Sequence, residues 1–275
     1  MRMRTVNHPA VFNRVRTLSL ALSCSVWLAT AQADTGHLER IASSKELRVC
    51  IWPDYYGISY RNPRTQQLEG IDIELAQAFA TDLGARLRFV DSSFAKLVDD
   101  LLQDHCDVAM FSIGITPARQ ERLRFTQPYL VSDIYGITTK SNRRIRAWDD
   151  IDQPGVVVSV AKGTLQESVM RDRLHQATLL VNDTPQGREQ DVESGRADVF
   201  MTDFPFSRRM LEQTDWARLV SPPAVYHTTP YAYAVAPADE RWLARVDRFV
   251  HDIKHDGRLA AAAKRQKLEP IVAAN

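Results

Sequence analysis

The chain has 275 residues, with 35 basic and 34 acidic side chains and a formal net charge of +1 at pH 7. This balance excludes the strongly basic character that non-specific binding to nucleic acid requires. A chain of this length can bury the core of one large or two modest domains.

The first 33 residues have the pattern of a cleavable export signal. They contain four arginines and no acidic residue, an apolar run from Leu18 to Ala29, and the small-residue sequence Ala31-Gln32-Ala33 at a cleavage position. The apolar run is shorter than the roughly 20 residues that span a bilayer. A lipoprotein signal would have leucine three positions before Cys24, where this chain has alanine. We therefore predict a signal peptide over residues 1–33 and a mature periplasmic protein that begins at Asp34.

From Leu47 onward, strand-like and helix-like segments alternate. The first helix is indicated by apolar residues at intervals of four, ending at Gly84. In chain order the predicted elements are the strand Leu47–Ile51, the helix through Ile71, Leu75, Phe79 and Leu83, the strand Leu87–Val90, the helix through Leu97, Leu101 and Leu102, and the strand Asp107–Phe111. This β-α-β-α-β order predicts a parallel sheet with right-handed crossovers.

Two cysteines remain once the signal is removed, Cys50 in the first predicted strand and Cys106 at the start of the third. If the sheet has the order 2-1-3, these strands are neighbours about 4.8 Å apart, and in an oxidising compartment two cysteines alone form a natural pair. The alternative is two buried free thiols. The strand register decides between the two, since it sets whether the disulfide geometry can form. We predict the disulfide.

The segment after Cys106 has the features of a ligand-binding strand end. A buried strand runs into small and polar residues, followed by an arginine and then by Phe125-Thr126-Gln127-Pro128-Tyr129. Since α/β sheets bind ligands at the carboxyl ends of their strands, Ser112, Thr116, Arg119 and nearby backbone N–H groups would face a ligand. The forked guanidinium of Arg119 can hold a carboxylate through two parallel hydrogen bonds. The alternative is a surface arginine that lies over the following strand.

A second β/α series begins after the polar connection Lys140–Arg144. In order it comprises the strand Val156–Val160, the loop Lys162-Gly163-Thr164, a helix through Val169 and Leu174, the strand Leu179–Val181, a helix ending at Gly195, the strand Ala197–Met201 followed by Thr202-Asp203, the late strand Tyr231–Val235, and a helix with Trp242, Val246, Val250 and Ile253 on one face. Two such series, with a C-terminal stretch long enough to rejoin the first, predict two lobes and two crossing strands near Ile134–Thr139 and Pro230–Val235.

Three motifs, in this order, resemble those of one family of exported proteins. They are Leu68-Glu69-Gly70-Ile71-Asp72-Ile73-Glu74, which looks like the family's Gly-x-Asp-x-Asp/Glu helix start, the Arg119 segment, and Lys162-Gly163-Thr164-Leu165-Gln166-Glu167, which is similar to its Gly-Thr-x-x-Glu loop. The family is that of the periplasmic solute-binding proteins of amino-acid ABC importers (bacterial extracellular solute-binding protein family 3). The resemblance covers nearly the whole mature chain.

The resemblance implies an α/β fold of the two-lobed periplasmic-binding-protein type. Each lobe would be a mostly parallel sheet flanked by helices, and two hinge strands would cross between the lobes. Lobe 1 would comprise residues 34–136, lobe 2 residues 137–230, and residues 231–275 would return to lobe 1.

The resemblance also implies roles for individual residues. Arg119 would grip the α-carboxylate of an amino acid together with upstream backbone amides. Gly114 stands where many relatives have serine or threonine, so only its backbone N–H could donate. Asp203 would accept from the α-ammonium group, or serve only as the N-cap of the next helix. Thr164 would offer its hydroxyl and the free N–H groups of a helix N-terminus to an anion, or only cap that helix.

Aromatic side chains are expected to enclose the rest of the ligand. In the family, the position of Tyr55 covers the ligand side chain, and the position of Phe94 lines the same pocket. Phe111 and Phe204 also lie at strand ends, where core packing is the more ordinary role. Asp54 would add charge selectivity or cap its loop.

The predicted function is capture of a small amino acid or amino-acid-like carboxylate by hinge closure, for the membrane subunits of an ABC importer. We predict a monomer without a cofactor. Removal of the signal leaves 31 basic against 34 acidic residues, so no nucleic-acid partner is predicted. His251 and His255 have a zinc-like spacing, but the glutamate of the metalloprotease motif is absent and the surrounding pattern is that of an amphipathic helix. We therefore predict no metal site.

Two alternatives use the same scaffold. The chain is also similar to the exported cyclohexadienyl dehydratases, whose loop carries a glutamate two positions after the threonine, whereas Glu167 stands three after Thr164. The third possibility is a partner or sensor module. The Leu-Arg-Val-Cys and Cys-Asp-Val segments resemble those of binding-protein homologues associated with quinoprotein dehydrogenases.

Overall fold

The computed structural model describes residues 36–274 and three isolated positions before them. Apart from those positions, the predicted signal peptide over residues 1–33 lies outside the described residues. Within the described part of the chain, no helix combines the length and the apolar character needed to cross a membrane.

Strands and helices alternate along most of the described chain. The strands are β1 (Glu46–Ile51), β2 (Asp54–Tyr55), β3 (Ser59–Arg61), β4 (Leu68–Glu69), β5 (Arg86–Asp91), β6 (Val108–Gly114), β7 (Arg124–Phe125), β8 (Leu130–Ser132), β9 (Tyr135–Thr139), β10 (Val157–Ala161), β11 (Thr178–Asn182), β12 (Val199–Thr202), β13 (Ala217–Val220) and β14 (Thr229–Val235). The α-helices are α1 (His37–Ser44), α2 (Ile71–Asp82), α3 (Leu97–Leu102), α4 (Pro117–Gln120), α5 (Leu165–Arg173), α6 (Pro185–Glu193), α7 (Phe204–Gln213), α8 (Glu240–His255) and α9 (Arg258–Arg265). Short 3-10 helices cover Trp148–Asp150 and Glu269–Ile271.

The first sheet has six strands, in the order β5-β1-β6-β14-β7, with β8 also paired to β14. β1 is parallel to both β5 and β6, whereas β14 is antiparallel to β6. The first three strands of the β/α series therefore have the 2-1-3 order on which the disulfide prediction depends. We call this sheet, with the helices packed on it, lobe 1.

The second sheet has five strands in the order β11-β10-β12-β9-β13. β10 is parallel to its two neighbours, and β9 is antiparallel to β12 and β13. We call this sheet and its helices lobe 2. The chain passes from lobe 1 to lobe 2 between β8 and β9 and returns between β13 and β14, immediately before or within the predicted crossing segments.

Two local predictions are corrected by the structure. The segment between β1 and α2, for which no strand is predicted from the sequence, contains a small three-stranded sheet in the order β2-β3-β4. The third predicted strand begins at Val108 and extends to Gly114, beyond its predicted end at Phe111, because all seven residues of β6 are buried between neighbouring strands and helices. The carboxyl end of β6 is therefore at Gly114, three residues nearer to Arg119 along the chain than its predicted end at Phe111.

The C-terminal helices close the core of lobe 1. The ring of Phe79 on α2 lies 5.6 Å from Trp242 and 4.6 Å from Phe249 on α8, measured between centroids. Trp242 also donates from Nε1 to the carbonyl of Asp107, at 2.6 Å. Because aromatic packing of this kind buries a large apolar area, α8 is held firmly to lobe 1.

Cys50 and Cys106 form a disulfide, with a distance of 5.6 Å between their Cα atoms. Cys50 lies in β1, opposite Ala109 of the neighbouring strand β6. Both cysteines are buried. The bond therefore links two adjacent strands whose carboxyl ends lead into the candidate site.

Candidate functional site

A narrow cavity lies between the two lobes, at the carboxyl ends of their parallel strands. Its free volume is about 20 Å³ in this closed arrangement, which is room for a water molecule. The residues that line it are Trp52, Tyr55, Phe94, Ser112, Gly114, Arg119, Thr164, Leu165, Gln166, Arg188, Thr202, Asp203, Phe206 and Tyr231. Strand ends place polar groups here, as expected for α/β sheets.

Arg119 enters the cavity from α4 and is only 8% exposed. Its Nη1 donates to the carbonyl of Gly114 and its Nη2 to the carbonyl of Gly163 in lobe 2, both at 2.8 Å. Among the described residues, no carboxylate lies within ion-pair distance of this guanidinium. Burial lowers the pKa of Arg119 to about 10, the direction expected for a cation removed from water. Arg119 is thus a buried cation whose partners are neutral carbonyl groups.

Asp203 enters from lobe 2, at the end of β12, and is 4% exposed. One carboxylate oxygen, Oδ1, accepts from the backbone N–H of Phe206 at 3.1 Å and caps α7. The other, Oδ2, accepts from the hydroxyl of Tyr231 at 2.8 Å and from that of Tyr55. Burial, reinforced by the Asp203 charge, raises the pKa of both tyrosines well above 10. The helix cap and the cavity-facing acceptor are therefore two oxygens of one side chain.

The loop after β10 brings Thr164 and Gln166 to the cavity. The Thr164 hydroxyl accepts from the backbone N–H of Glu167 at 3.3 Å, which makes it the N-cap of α5. Glu167 points away from the cavity lining, because its carboxylate accepts from the N–H of Gly163 at 2.7 Å and from Arg171 at 2.8 Å. The group that the loop presents to the cavity at Gln166 is consequently a neutral amide.

The Ser112 side chain belongs to a buried network behind the cavity. The backbone N–H of Ser112 donates to Asp72 at 2.9 Å, and its hydroxyl lies 2.9 Å from that of Tyr129. Tyr129 and Tyr233 also donate to Asp72. Burial raises the pKa of Asp72 to about 6, while these hydrogen bonds act in the opposite direction. The network occupies the Ser112 hydroxyl that sequence reasoning directed toward a ligand.

Gly70 explains why the chain can place Asp72 in that network. Its φ is +130°, and a Cβ there would lie 2.4 Å from the carbonyl oxygen of Ile58. Only glycine fits this turn. The Gly-x-Asp part of the helix start is therefore a structural device that buries one carboxylate behind the cavity.

Thr116 and Gly114 position Arg119. The Thr116 hydroxyl caps α4 by accepting from the backbone N–H of Arg119 at 3.3 Å; Thr116 lies outside the cavity lining, at the mouth between the lobes. A Cβ at Gly114 would lie 3.1 Å from Leu165 and 3.2 Å from Thr229. Such contacts are tight, so glycine at this position accommodates the close approach of lobe 2.

Aromatic rings form one wall of the cavity. The Phe94 ring lies 5.1 Å from that of Trp52 and 5.8 Å from that of Tyr55, measured between centroids, and the Arg119 guanidinium lies 5.4 Å from the Phe94 centroid. Phe111 packs behind Phe94 in the core. Both Tyr55 and Phe94, predicted from the sequence, are therefore brought together with Arg119.

Several cavity residues were missed by sequence reasoning. They are Trp52, Leu165, Gln166, Arg188, Thr202, Phe206 and Tyr231. Thr202 and Tyr231 adjoin strand ends that the sequence did indicate, and Gln166 is part of the motif loop. Arg188 has no such signal, because a polar residue in the middle of a surface-like helix is normally solvated.

Direct contacts hold the two lobes together around the cavity. Besides the bonds of Arg119 to Gly163 and of Tyr55 to Asp203, Gln186 of lobe 2 donates to Asp54 of lobe 1 at 2.7 Å. Gly163 has a φ of +76°, and a Cβ there would lie 2.8 Å from backbone atoms of Ala95. The closed arrangement thus requires glycine at 163 for two separate reasons.

Substituting Gly163 by alanine is expected to hinder closure. A Cβ would force the lobe 2 loop away from Ala95, and overpacking of this kind costs about 1–3 kcal/mol, or about five- to 150-fold in the affinity of a ligand bound by the closed form. Gly155→Ala is the matched control, since Gly155 has a φ of +78° with open space around it. Titration calorimetry compares the two variants, and equal affinities would contradict the role of Gly163 in closure.

Comparisons with known proteins agree with this two-lobed arrangement. The profile of the bacterial extracellular solute-binding proteins, family 3, matches residues 47–266. The cyclohexadienyl dehydratase of Pseudomonas aeruginosa is 34% identical over 257 residues, which cover 92% of this chain and 93% of that protein. The ancestral amino acid-binding protein AncCDT-1, a precursor of cyclohexadienyl dehydratase, superposes with a TM-score of 0.76 at 27% identity, covering 83% of this chain and 98% of that one. An amino acid ABC transporter substrate-binding protein from Streptococcus pneumoniae, bound to L-arginine, has a TM-score of 0.76 at 25% identity, covering 83% and 97%.

Proposed function

This chain belongs to the bacterial extracellular solute-binding proteins, family 3, and on that premise we propose that it binds a small amino acid between its lobes in the periplasm. Closure of the lobes then presents the loaded protein to the membrane subunits of an ABC importer. Relatives of the chain include amino-acid-binding proteins and a dehydratase, so the proposal depends on whether the groups in the site suit binding or catalysis.

The observation that carries the proposal is the pairing of Arg119 with Asp203 across the cavity. Arg119 is a buried cation with only carbonyl partners, and Asp203 is a buried anion with two hydroxyl partners. An α-carboxylate on Arg119 and an α-ammonium group on Asp203 would replace neutral partners with charged ones. Charge-assisted hydrogen bonds are about twice as strong as neutral ones, so a zwitterion satisfies both groups at once.

The two charged groups belong to different lobes, which couples ligand binding to closure. Arg119 follows β6 of lobe 1, and Asp203 follows β12 of lobe 2. A ligand that touches both stabilises the closed state relative to an open one by its differential affinity. Since the cavity is nearly filled by side chains when the lobes are closed, the ligand enters when they are apart.

The role of Asp203 is tested with one amino acid and its α-keto analogue, after a thermal-shift screen against all amino acids and common organic acids. Asp203→Asn keeps an oxygen that can cap α7 but removes the anion. We expect the amino acid to bind about thirtyfold to several thousandfold more weakly, because a buried charge partner is worth about 2–5 kcal/mol. The keto acid, which has no ammonium group, should bind nearly as before.

Titration calorimetry measures both ligands on both proteins. Equal losses for the amino acid and the keto acid would mean that Asp203 serves only as a helix cap, and the amino-acid assignment would then fail. A screen in which no carboxylate stabilises the protein would also overturn the proposal.

Dehydratase activity is a second candidate function, favoured by the 34% identity to cyclohexadienyl dehydratase. Elimination of water needs a general acid near the leaving group. The cavity offers the neutral amide of Gln166 where the loop of those enzymes has a glutamate, and Glu167 is directed to Gly163 and Arg171 instead. Incubation with a cyclohexadienyl acid, followed by absorbance of an aromatic product, separates the two functions, and turnover would replace the binding proposal.

A further inference from the structure

A second buried arginine, Arg188 of α6, lines the same cavity and is 3% exposed. Its guanidinium carbon lies 4.1 Å from the centroid of the Phe206 ring, and Nη1 donates to the carbonyl of Met201 at 3.3 Å. Nε is buried and has no hydrogen-bond partner among residues 36–274. Burial lowers the pKa of Arg188. The aromatic face and the carbonyl therefore hold a cation in place while one of its donors stays unsatisfied.

The charges that line the cavity do not balance for a simple zwitterion. Arg119 and Arg188 are cations, and Asp203 is the one carboxylate among the lining residues. The nearby carboxylates of Asp54 and Glu189 lie 3.7 and 3.6 Å from Arg209, which is outside the lining. No carboxylate of the described residues lies within ion-pair distance of Arg188. The charges of Glu189, Asp203 and Asp54 act on Arg188 from a greater distance, but a ligand with one carboxylate, held by Arg119, would leave the Arg188 donors without a carboxylate partner.

We propose that the ligand carries a second carboxylate, as an acidic amino acid does, and that Arg188 binds it. The inference rests on the proposed function, in which Arg119 and Asp203 hold the α-carboxylate and the α-ammonium group. Arginine presents its donors in a planar fork that matches a carboxylate, and the unsatisfied Nε belongs to that fork. A buried donor without a partner is costly, so a second ligand carboxylate would stabilise the complex most by accepting a hydrogen bond from Nε of Arg188.

The mouth of the cleft has a matching charge. Arg119 lines both the cavity and the mouth. Arg122 of lobe 1 and Arg171 of lobe 2 also line the mouth, and Glu167 is the one carboxylate among the residues that line it. A cleft lined mainly by one sign of charge raises the local concentration of the opposite ion. Arg171 is paired with Glu167 and Arg122 with Asp99, so the excess positive charge at this opening is that of Arg119, which favours an anionic ligand over a cationic one.

The first arm of the test needs no variant. Titration calorimetry on the exported protein at pH 7 compares L-aspartate with L-asparagine and L-glutamate with L-glutamine, pairs that differ in one carboxylate. We expect one of the acids to bind about thirtyfold or more tightly than its amide, since a buried charge pair is broken in the amide complex. Amides that bind as tightly as both acids would overturn the inference.

The second arm assigns the preference to Arg188. Arg188→Met keeps a long apolar side chain against Phe206 and is expected to erase the preference for the acid over its amide. Arg173→Met is the matched control, because Arg173 also lies over an aromatic ring, that of Tyr226 at 4.7 Å, but is exposed and outside the cavity. This control should retain the full preference, and a preference that survives in Arg188→Met would contradict the assignment.

The outcomes distinguish this inference from the proposed function. Tight binding of neutral amino acids without any preference for acids would keep the function and remove the second-carboxylate site. If no amino acid binds, both fail together, and the thermal-shift screen of organic acids then identifies the ligand class. Loss of folding in Arg188→Met, visible in its melting curve, leaves the wild-type comparison of acid and amide as the deciding measurement.

Discussion

Replacing Arg119 by methionine is expected to abolish detectable binding of every carboxylate ligand. The substitution removes the buried cation and its fork of donors while keeping apolar bulk against Phe94. Loss of a buried charged partner costs about 2–5 kcal/mol, or about thirtyfold to several thousandfold in affinity. The bond from Arg119 to the carbonyl of Gly163 is lost as well, which weakens the contact between the lobes. This is the largest effect on binding that the site predicts.

Arg122→Met is the matched control for Arg119→Met. Arg122 lies at the mouth of the cleft two residues after α4, and it is exposed, with its guanidinium 3.7 Å from Asp99. An exposed ion pair of this kind contributes about 0–1 kcal/mol, so the control should bind nearly as the wild type does. Calorimetry that finds the affinity of Arg119→Met within about tenfold of the control would contradict the central role of Arg119.

Loss of the Cys50–Cys106 disulfide is expected to lower the free energy of unfolding by about 4 kcal/mol. The bond closes a loop with a sequence separation of 56 residues, and the entropy that such a link removes from the unfolded chain has about that value. Because Cys50 lies near the carboxyl end of β1, two residues before Trp52, loss of the disulfide also loosens the strand end that leads to Trp52. We expect weaker ligand binding together with the lower stability.

Denaturant unfolding of the wild type with and without reductant measures the effect. The variant Cys50→Ala with Cys106→Ala controls for actions of the reductant elsewhere, since it should be insensitive to it. Two alkylatable thiols in the unreduced, unfolded wild type would show that the bond does not form in solution. Identical unfolding midpoints with and without reductant would show that it does not stabilise the fold.

The order of elements and the helix starts could be read from the sequence, because both follow local rules. Apolar residues at intervals of four and short β-branched runs predicted α2, β1 and β10, and the β-α-β-α-β order predicted a parallel sheet with right-handed crossovers. Thr164 and Asp203 were recognised as possible caps because a cap and its N–H partner lie three residues apart in the chain. The family resemblance predicted ligand-binding roles for Arg119, Tyr55 and Phe94.

What only the tertiary structure decided is the direction in which side chains point. Ser112 was expected to face the ligand, but its hydroxyl lies against that of Tyr129, which immediately precedes β8 and completes the network of Asp72. Arg188 looks like a solvated helix residue until β12 and α7 cover it with Met201 and Phe206. Both cases depend on contacts between different elements of the fold, which no local sequence pattern records. The burial that leaves a donor of Arg188 without a partner exists only once lobe 2 is packed.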